Sequence, residues 1–463
     1  MCYCLKLELS QACFESRLAP VTPAPTAMEP PLYNNSLTRF PPEILVQVAK
    51  SLGDHKSLNN LARVNSRFKT LLTPVIYARF DTACNKETHF LRTLTLAPHL
   101  STHVKTLRWM DEDDNWDSDK EDYEVETRQH VASELSKLPS LFHKQLAAAI
   151  EHSIGGTLHV ALLAAALSLA PNLELLEITL ASRNTSRIRW NEAVWIASPH
   201  LFEHLHTIKL KLRRKAGMDL NILLLLPTVR TLDITSVDRV KSDPQKTMWL
   251  PLPEKSSNVE TFLLRESNID MDILVAAVKS CKVLKKFLYQ HHRSWSSLRK
   301  LDMAQLSSAV LVHKETLYEL GIMDRLGETD ESTPMLNEIV EIPHLENVLL
   351  PMYSKDLRVK DIMKFGPRMI RYACTIKGDE SRKAFDGFLR LLSRDASQLK
   401  EGSPLLKTVT VWVADKEYTN SLVVYLAKSV CKKEDITLNV EALSGEDNVS
   451  TAVENWESDT FKS

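Results

Sequence analysis

Apolar residues recur along most of this chain in one short pattern, apolar-x-x-apolar-x-apolar. Alternation of buried and polar positions in its second half is typical of a β-strand with one buried face. Clear copies of the pattern begin at Val104, Leu173, Leu205, Val229, Val259, Leu284, Leu317, Leu345 and Leu406. A weaker copy is Ile370/Ala373/Thr375. From Leu173 onwards the copies, with the weaker one included, start about 29 residues apart on average, which predicts an array of similar units.

The segments between the copies have the spacing of amphipathic or buried helices. Predicted helices span Leu158–Ala170, Met271–Cys281, Ser297–Val312 and Ser421–Val430. Proline precedes several copies, as at Pro171 and Pro343, and proline cannot continue a helix. Units of helix, break and strand normally stack into a parallel sheet. The sequence therefore predicts an α/β fold built as a solenoid with a parallel sheet. The alternative is a doubly wound sheet, which also alternates strands with helices.

A compact helical pattern precedes the array. Pro41 and Pro42 suit the first turn of a helix, where a missing N–H costs nothing. Ser57 and Ser66 are predicted to cap a second and a third helix, and Pro74 is predicted to end the third. Three helices in about forty residues bury little surface, so we expect this unit to contact a partner or a neighbour through an exposed apolar face.

The order and spacing of residues in this unit resemble an F-box, over about residues 37 to 77. The resemblance implies docking to the Skp-type adaptor of an SCF ubiquitin ligase and, through it, to a cullin scaffold. Glu43 and Asn65 would lie at the polar edge of that contact. The residues that the resemblance assigns to adaptor binding are Phe40, Pro41, Pro42, Glu43, Ile44, Leu45, Val48, Leu58, Leu61, Val64, Asn65, Phe68 and Leu71.

The repeated units resemble leucine-rich repeats over about 300 residues, although the Asn or Cys that usually follows the third apolar position is mostly missing. Together the two resemblances imply a substrate-recognition subunit that binds an unknown protein substrate through the repeats and performs no catalysis. The alternative is a non-catalytic interaction scaffold whose N-terminal helices cap the solenoid. The two hypotheses differ in whether the helices expose their apolar stripe or bury it on Val104 and Leu107.

Composition changes along the chain and predicts four regions. A proline-rich disordered arm is predicted for residues 1–36, the F-box for 37–80, the repeat region for 81–442 and a polar tail for 443–463. Within the repeat region, residues 111–126 form a dense acidic run that we expect to be a solvated surface loop. Contact with a basic substrate is the alternative for this run.

Charge and cysteine content favour a protein of the cytoplasm or nucleus that binds neither nucleic acid nor membrane. The net charge of −1 provides no basic field for a phosphate backbone, and no apolar stretch is long enough to span a bilayer. The N-terminus lacks the features of a signal peptide. Seven scattered cysteines suggest neither a disulfide framework nor a zinc site.

Candidate chemistry is sparse, and we expect no catalytic residue, metal or cofactor. The sequence contains no phosphate-binding glycine loop, nucleophile elbow or zinc-protease helix. His200, His204 and His206 lack a spaced acidic or cysteine partner and are predicted to be polar positions of a repeat. The segment from His291 to Trp295 is predicted to be a surface loop. Trp109 and Trp412 are predicted to be core or capping residues.

Overall fold

A computed structural model describes residues 40–52, 55–83, 87–110, 121–138, 141–152, 156–180, 202–216, 220–237, 252–291, 302–324, 339, 342–353, 368–369, 371–377, 381–413 and 419–442. The predicted arm 1–36, the predicted tail 443–463, His200 and residues 292–295 lie outside these ranges.

Twelve parallel strands form one sheet, and their order in the sheet is their order in the chain. The strands are β1 Arg79–Asp81, β2 Thr106–Met110, β3 Leu175–Leu180, β4 Thr207–Ala216, β5 Thr231–Val237, β6 Thr261–Ser267, β7 Lys286–His291, β8 Glu319–Asp324, β9 Asn347–Tyr353, β10 Arg371–Lys377, β11 Thr408–Val413 and β12 Thr437–Ala442. The predicted α/β class with a parallel sheet is confirmed. A doubly wound sheet is wrong, because such a sheet reverses its strand order at a switch point.

Helices connect most of the strands and pack on one face of the sheet. They are α1 Pro42–Ser51, α2 His55–Ala62, α3 Ser66–Tyr77, α4 Glu87–Leu96, α5 Glu121–Ser136, α6 Leu141–His152, α7 Gly156–Leu169, α8 Leu220–Leu224, α9 Met271–Ser280, α10 Met303–Leu311, α11 Ser381–Gly402 and α12 Leu422–Lys433. A short 3-10 helix spans Pro98–His103. The helices predicted from Leu158, Met271 and Ser421 are confirmed within a few residues. Of the segment predicted to start at Ser297, residues 303–311 are helical.

The repeated apolar positions form one continuous core between the sheet and the helices. Leu107, Leu176, Ile208, Leu232 and their equivalents in later strands are almost completely buried. They stand side by side because the strands pair in register, as Leu107 with Leu176 and Leu176 with Ile208. A single unit cannot bury its apolar face alone, so each depends on its neighbours in the stack.

Three predictions about the array need correction. Ala373 was predicted as a core position, but Met369 and Cys374 occupy the core and Ala373 pairs with Leu349 on the other face. Strands β1 and β12 were not predicted, since neither carries the full apolar spacing. The acidic run is not a loop throughout, because α5 begins at Glu121 and packs against α4 and α6. Residues 111–120 lie outside the described residues.

The face of the sheet opposite the core, here called the second face, changes character along the array. On β1 to β5 one register row carries Asp81, Arg108, Glu177, Lys209 and Asp233 in succession. From β6 to β10 the same row continues through apolar residues and Gly321. With neighbours on the same face, they form a buried cluster of Leu263, Leu288, Met323, Leu349, Ala373 and Trp412. The second face is therefore charged and open at its N-terminal end and apolar and buried further along.

Gly321 makes room for this buried cluster. A Cβ atom added at Gly321 would overlap Cδ1 of Leu288, its register partner on β7. Leu288 is fully buried, so its side chain has little freedom to move away.

We expect Gly321→Ala to destabilise the protein by about 1–3 kcal/mol through overpacking. Leu288→Ala removes the obstructing side chain but leaves a cavity, at a cost of about 2–5 kcal/mol. The double variant should be more stable than the sum of the two changes predicts, as measured by urea unfolding. Additive free energies of unfolding would contradict the proposed contact.

Candidate functional site

The N-terminal helices α1 to α3 have a small core of their own. Its buried residues are Leu45 and Ala49 from α1, Leu58 from α2, and Phe68 and Leu72 from α3. This cluster is separate from the core that runs under the sheet. The helices are therefore held together by a few large side chains, of which Phe68 is 1% exposed.

Local signals place the helices slightly differently from the prediction. Asn65 rather than Ser66 caps α3: its backbone is extended, and its Oδ1 accepts a 2.8 Å hydrogen bond from the N–H of Phe68. Helix α2 already begins at His55, before Ser57. Helix α3 continues through Pro74 to Tyr77, so the predicted stop is wrong. Partly buried residues after Pro74 pack against the small core and the sheet core, which offsets the poor helix propensity of proline.

One side of α1 presents a row of exposed apolar residues. Phe40 precedes the helix, and Ile44, Val48 and Leu52 follow at intervals of four residues, which places them on one helix face. These four side chains are between 38% and 46% exposed, and Val64 after α2 is 58% exposed. We call Phe40, Ile44, Val48 and Leu52 the α1 row. A contiguous exposed row of this kind is typical of a surface that contacts another protein.

The predicted adaptor-binding residues therefore fall into three groups. Phe40, Pro41, Pro42, Glu43, Ile44, Val48 and Val64 are exposed. Leu61, Asn65 and Leu71 are partly buried. Leu45, Leu58 and Phe68 are buried in the core of the helical unit. In this structure these last three side chains lie in the core of the helical unit, because helical spacing turns them inward, and their assignment to adaptor binding stays a prediction. Leu52 was not among the predicted residues, although its spacing continues the row.

The helical unit contacts the first strands without burying the α1 row. Tyr77 at the end of α3 packs against the sheet core, and the backbone oxygen of Ala78 accepts hydrogen bonds from the N–H groups of Lys105 and Thr106, each 2.9 Å long. Val104 and Leu107 are completely buried, but they belong to the sheet core. The three-helix unit therefore contacts the sheet through the end of α3, while its exposed apolar row lies on α1.

The surroundings of the α1 row are mostly basic. Described residues of the helical unit include five exposed Lys or Arg side chains, at Lys50, Lys56, Arg63, Arg67 and Lys69. Glu43 is the one Asp or Glu side chain among the described residues of this unit. Arg67 also donates a 3.2 Å hydrogen bond to the backbone oxygen of Phe40, which ties the start of the row to α3. A partner with carboxylates around an apolar patch would complement this surface.

The open part of the second face is a second candidate surface. Arg108 lies between two carboxylates, 3.4 Å from Asp81 and 3.3 Å from Glu177. Arg265 on β6 pairs with Asp233 at 2.5 Å. The register partners of Lys209 are Glu177 and Asp233, so opposite charges alternate along the row. The row is held in place by the strands rather than by flexible loops.

Paired charges also line the positions just before the strands. Lys105 Nζ lies 2.6 Å from Glu174 Oε1, and this hydrogen bond lowers the pKa of the Glu174 carboxyl. Lys285 Nζ lies 2.6 Å from Glu260 Oε2, and that hydrogen bond raises the pKa of the Lys285 ammonium. Both pairs join adjacent units across the surface. Exposed pairs of this kind contribute little to stability.

Sites for chemistry are scarce within the described ranges. These residues contain no group of three or more His, Cys, Asp and Glu side chains that could hold a metal ion. Burial raises the pKa of Cys281 to about 12 and that of Cys431 to about 11, which disfavours the reactive thiolate of either side chain. Among the described helices, none is both long and apolar enough to cross a membrane.

The remaining candidate residues are placed by the strands. His204 and His206 are exposed. His291 was predicted in a loop, but it is buried at the end of β7 and lies 2.9 Å from the hydroxyl of Tyr289. The prediction failed because β7 runs two residues past the last apolar position of its pattern. Trp109 is buried in the sheet core, and Trp412 is buried on the second face, where its indole donates to Glu441.

The division between core and exposed row predicts two very different responses to mutation. Phe68→Ala should destabilise the helical unit by about 3–5 kcal/mol, because it empties the centre of a small core. Ile44→Ala should change stability by no more than about 0.5 kcal/mol, since the side chain is exposed. Local protection of α1 to α3 in hydrogen exchange checks both values. Equal losses of protection would contradict the assigned core.

No protein-family model matches the chain, and a search of curated proteins finds no matching sequence.

Proposed function

We propose that this chain is the substrate-recognition subunit of an SCF-type ubiquitin ligase. The α1 row would dock on a Skp-type adaptor, and the repeat region, which we propose to be a leucine-rich-repeat-like solenoid, would hold a protein substrate. The exposed apolar row on a helical unit with its own core carries the proposal. The chain would perform no catalysis, since tethering the substrate near the ligase raises its effective concentration without new chemistry.

Three features support the adaptor side of the proposal. The residues that resemble an F-box divide into a buried set that holds the helices together and an exposed set available to a partner. The exposed set lies on a short helix, and one helix face can present its anchors at intervals of one turn. The basic residues around it suit an adaptor with acidic residues at the edge of its binding groove.

One observation favours the alternative of a freestanding scaffold. Tyr77 packs on the sheet core and Ala78 accepts hydrogen bonds from the segment that enters β2, so the helices also cover the first strand end. Terminal units of repeat proteins need such capping. A capping unit, however, does not require an exposed apolar row that faces away from the sheet core. We therefore prefer the adaptor hypothesis.

The proposal is tested by co-purifying the chain with a Skp-type adaptor. Ile44→Asp combined with Val48→Asp should abolish adaptor binding, because two carboxylates would be desolvated in an apolar contact. Both side chains are exposed in the free chain, so the double variant should keep its fold, as checked by circular dichroism and thermal unfolding. Leu45 is unsuitable for this test, since Leu45→Asp would disrupt the core.

Helix α12 supplies a matched control. Leu422 and Leu426 are also exposed and four residues apart, with exposed fractions of 72% and 54%. Leu422→Asp combined with Leu426→Asp should leave adaptor binding unchanged. Failure of the folded wild-type chain to retain the adaptor would reject the ligase proposal in favour of the scaffold. Equal loss in both double variants would remove the α1 row as the docking surface.

A further inference from the structure

The sequence of β4 has a local surplus of positive charge. The β4 sequence contains five basic residues, Lys209, Lys211, Arg213, Arg214 and Lys215, and no acidic one. Across residues 181–251 there are twelve Lys or Arg against six Asp or Glu, although the net charge of the whole chain is −1. Residues 181–251 therefore carry a local excess of positive charge, although the net charge of the whole chain is close to zero.

Within the open part of the second face, the carboxylates already form ion pairs with arginine side chains. Asp81 and Glu177 pair with Arg108, and Asp233 pairs with Arg265. Lys209 and Lys211 are exposed, and neither forms an ion pair with another described residue. The ammonium groups of these two lysines are thus available to a ligand at the centre of β2 to β5.

We propose that the open second face of β2 to β5 binds an acidic segment of a protein partner through Lys209 and Lys211. Naming that partner a ubiquitination substrate rests on the proposed function; the binding itself does not. Adjacent strands lie about 4.8 Å apart, so β2 to β5 span about 14 Å, which matches about four residues of an extended peptide. Glutamate or aspartate side chains would pair with the lysines.

The charges beside Lys209 favour a peptide over a nucleic acid. Glu177 and Asp233 are its register partners on both sides, so a carboxylate lies on each flanking strand. A nucleic-acid backbone carries a phosphate at every step and would meet both carboxylates. A peptide can place its acidic residues over the lysines and neutral residues over the carboxylates.

The test uses the full chain and a fluorescent peptide in which glutamate alternates with serine, followed by fluorescence anisotropy. Lys209→Gln combined with Lys211→Gln should weaken binding by about fivefold or more, from the loss of two ion pairs. Glutamine removes the charge without placing a new carboxylate beside Glu177 and Asp233. Raising the salt concentration should weaken wild-type binding and affect the variant less.

A matched control variant is Lys428→Gln with Lys432→Gln on α12, which makes the same change in net charge at two exposed lysines far along the chain. This control should bind the peptide as the wild type does. An equal loss of affinity in both variants, an unchanged affinity in the β4 variant or no binding by the wild type would overturn the inference. So would tighter binding of a single-stranded oligothymidine that displaces the peptide.

The adaptor experiment separates this inference from the proposed function. Wild-type chain that retains the adaptor but does not bind the acidic peptide overturns the β4 inference alone. Chain that binds the peptide through Lys209 and Lys211 but does not retain the adaptor overturns the ligase proposal and leaves a scaffold that binds acidic segments.

Discussion

The burial of one apolar face per repeated unit is the constraint on which the rest of the structure depends. Most strands offer two or three core positions, too few to stabilise a unit alone, and parallel pairing in register brings them into one continuous core. This arrangement commits one face of every strand to packing. Most alternate positions on β1 to β5, other than the buried Asp81 and Thr179, are at least partly exposed, and they are free to differ in charge without disturbing the core.

The two candidate surfaces follow from this division in different ways. On the sheet, strand alternation decides which residues face outward, so the charge row and the β4 lysines are held by backbone geometry. In the helical unit, the 3.6-residue period separates Leu45 and Ala49 inside from Ile44 and Val48 outside. A small core and an exposed row can therefore occupy adjacent positions of one ten-residue helix.

Much of the architecture could be predicted from the sequence because the apolar spacing of each strand is local. Nine clear copies mark nine strands of the sheet. The errors occur where several registers satisfy the pattern, as at Ala373, or where pairing with a neighbour adds a strand, as at β1 and β12. The exposed α1 row was harder to predict, since apolar residues in a small helical unit can face either its core or a partner. That the β4 lysines form no ion pair with another described residue depends on cross-strand neighbours that spacing alone does not identify.

The consecutive order of the strands also fixes the distance between surfaces on different strands. Every unit added or removed between β1 and β4 would change the separation of helices α1 to α3 from the lysine pair by about 4.8 Å, with no change to either surface. If the chain serves a ubiquitin ligase as proposed, that separation would set how far a bound substrate lies from the enzyme that modifies it. Duplication of a unit could thus change which lysines of a substrate come within reach, while both binding partners stay the same.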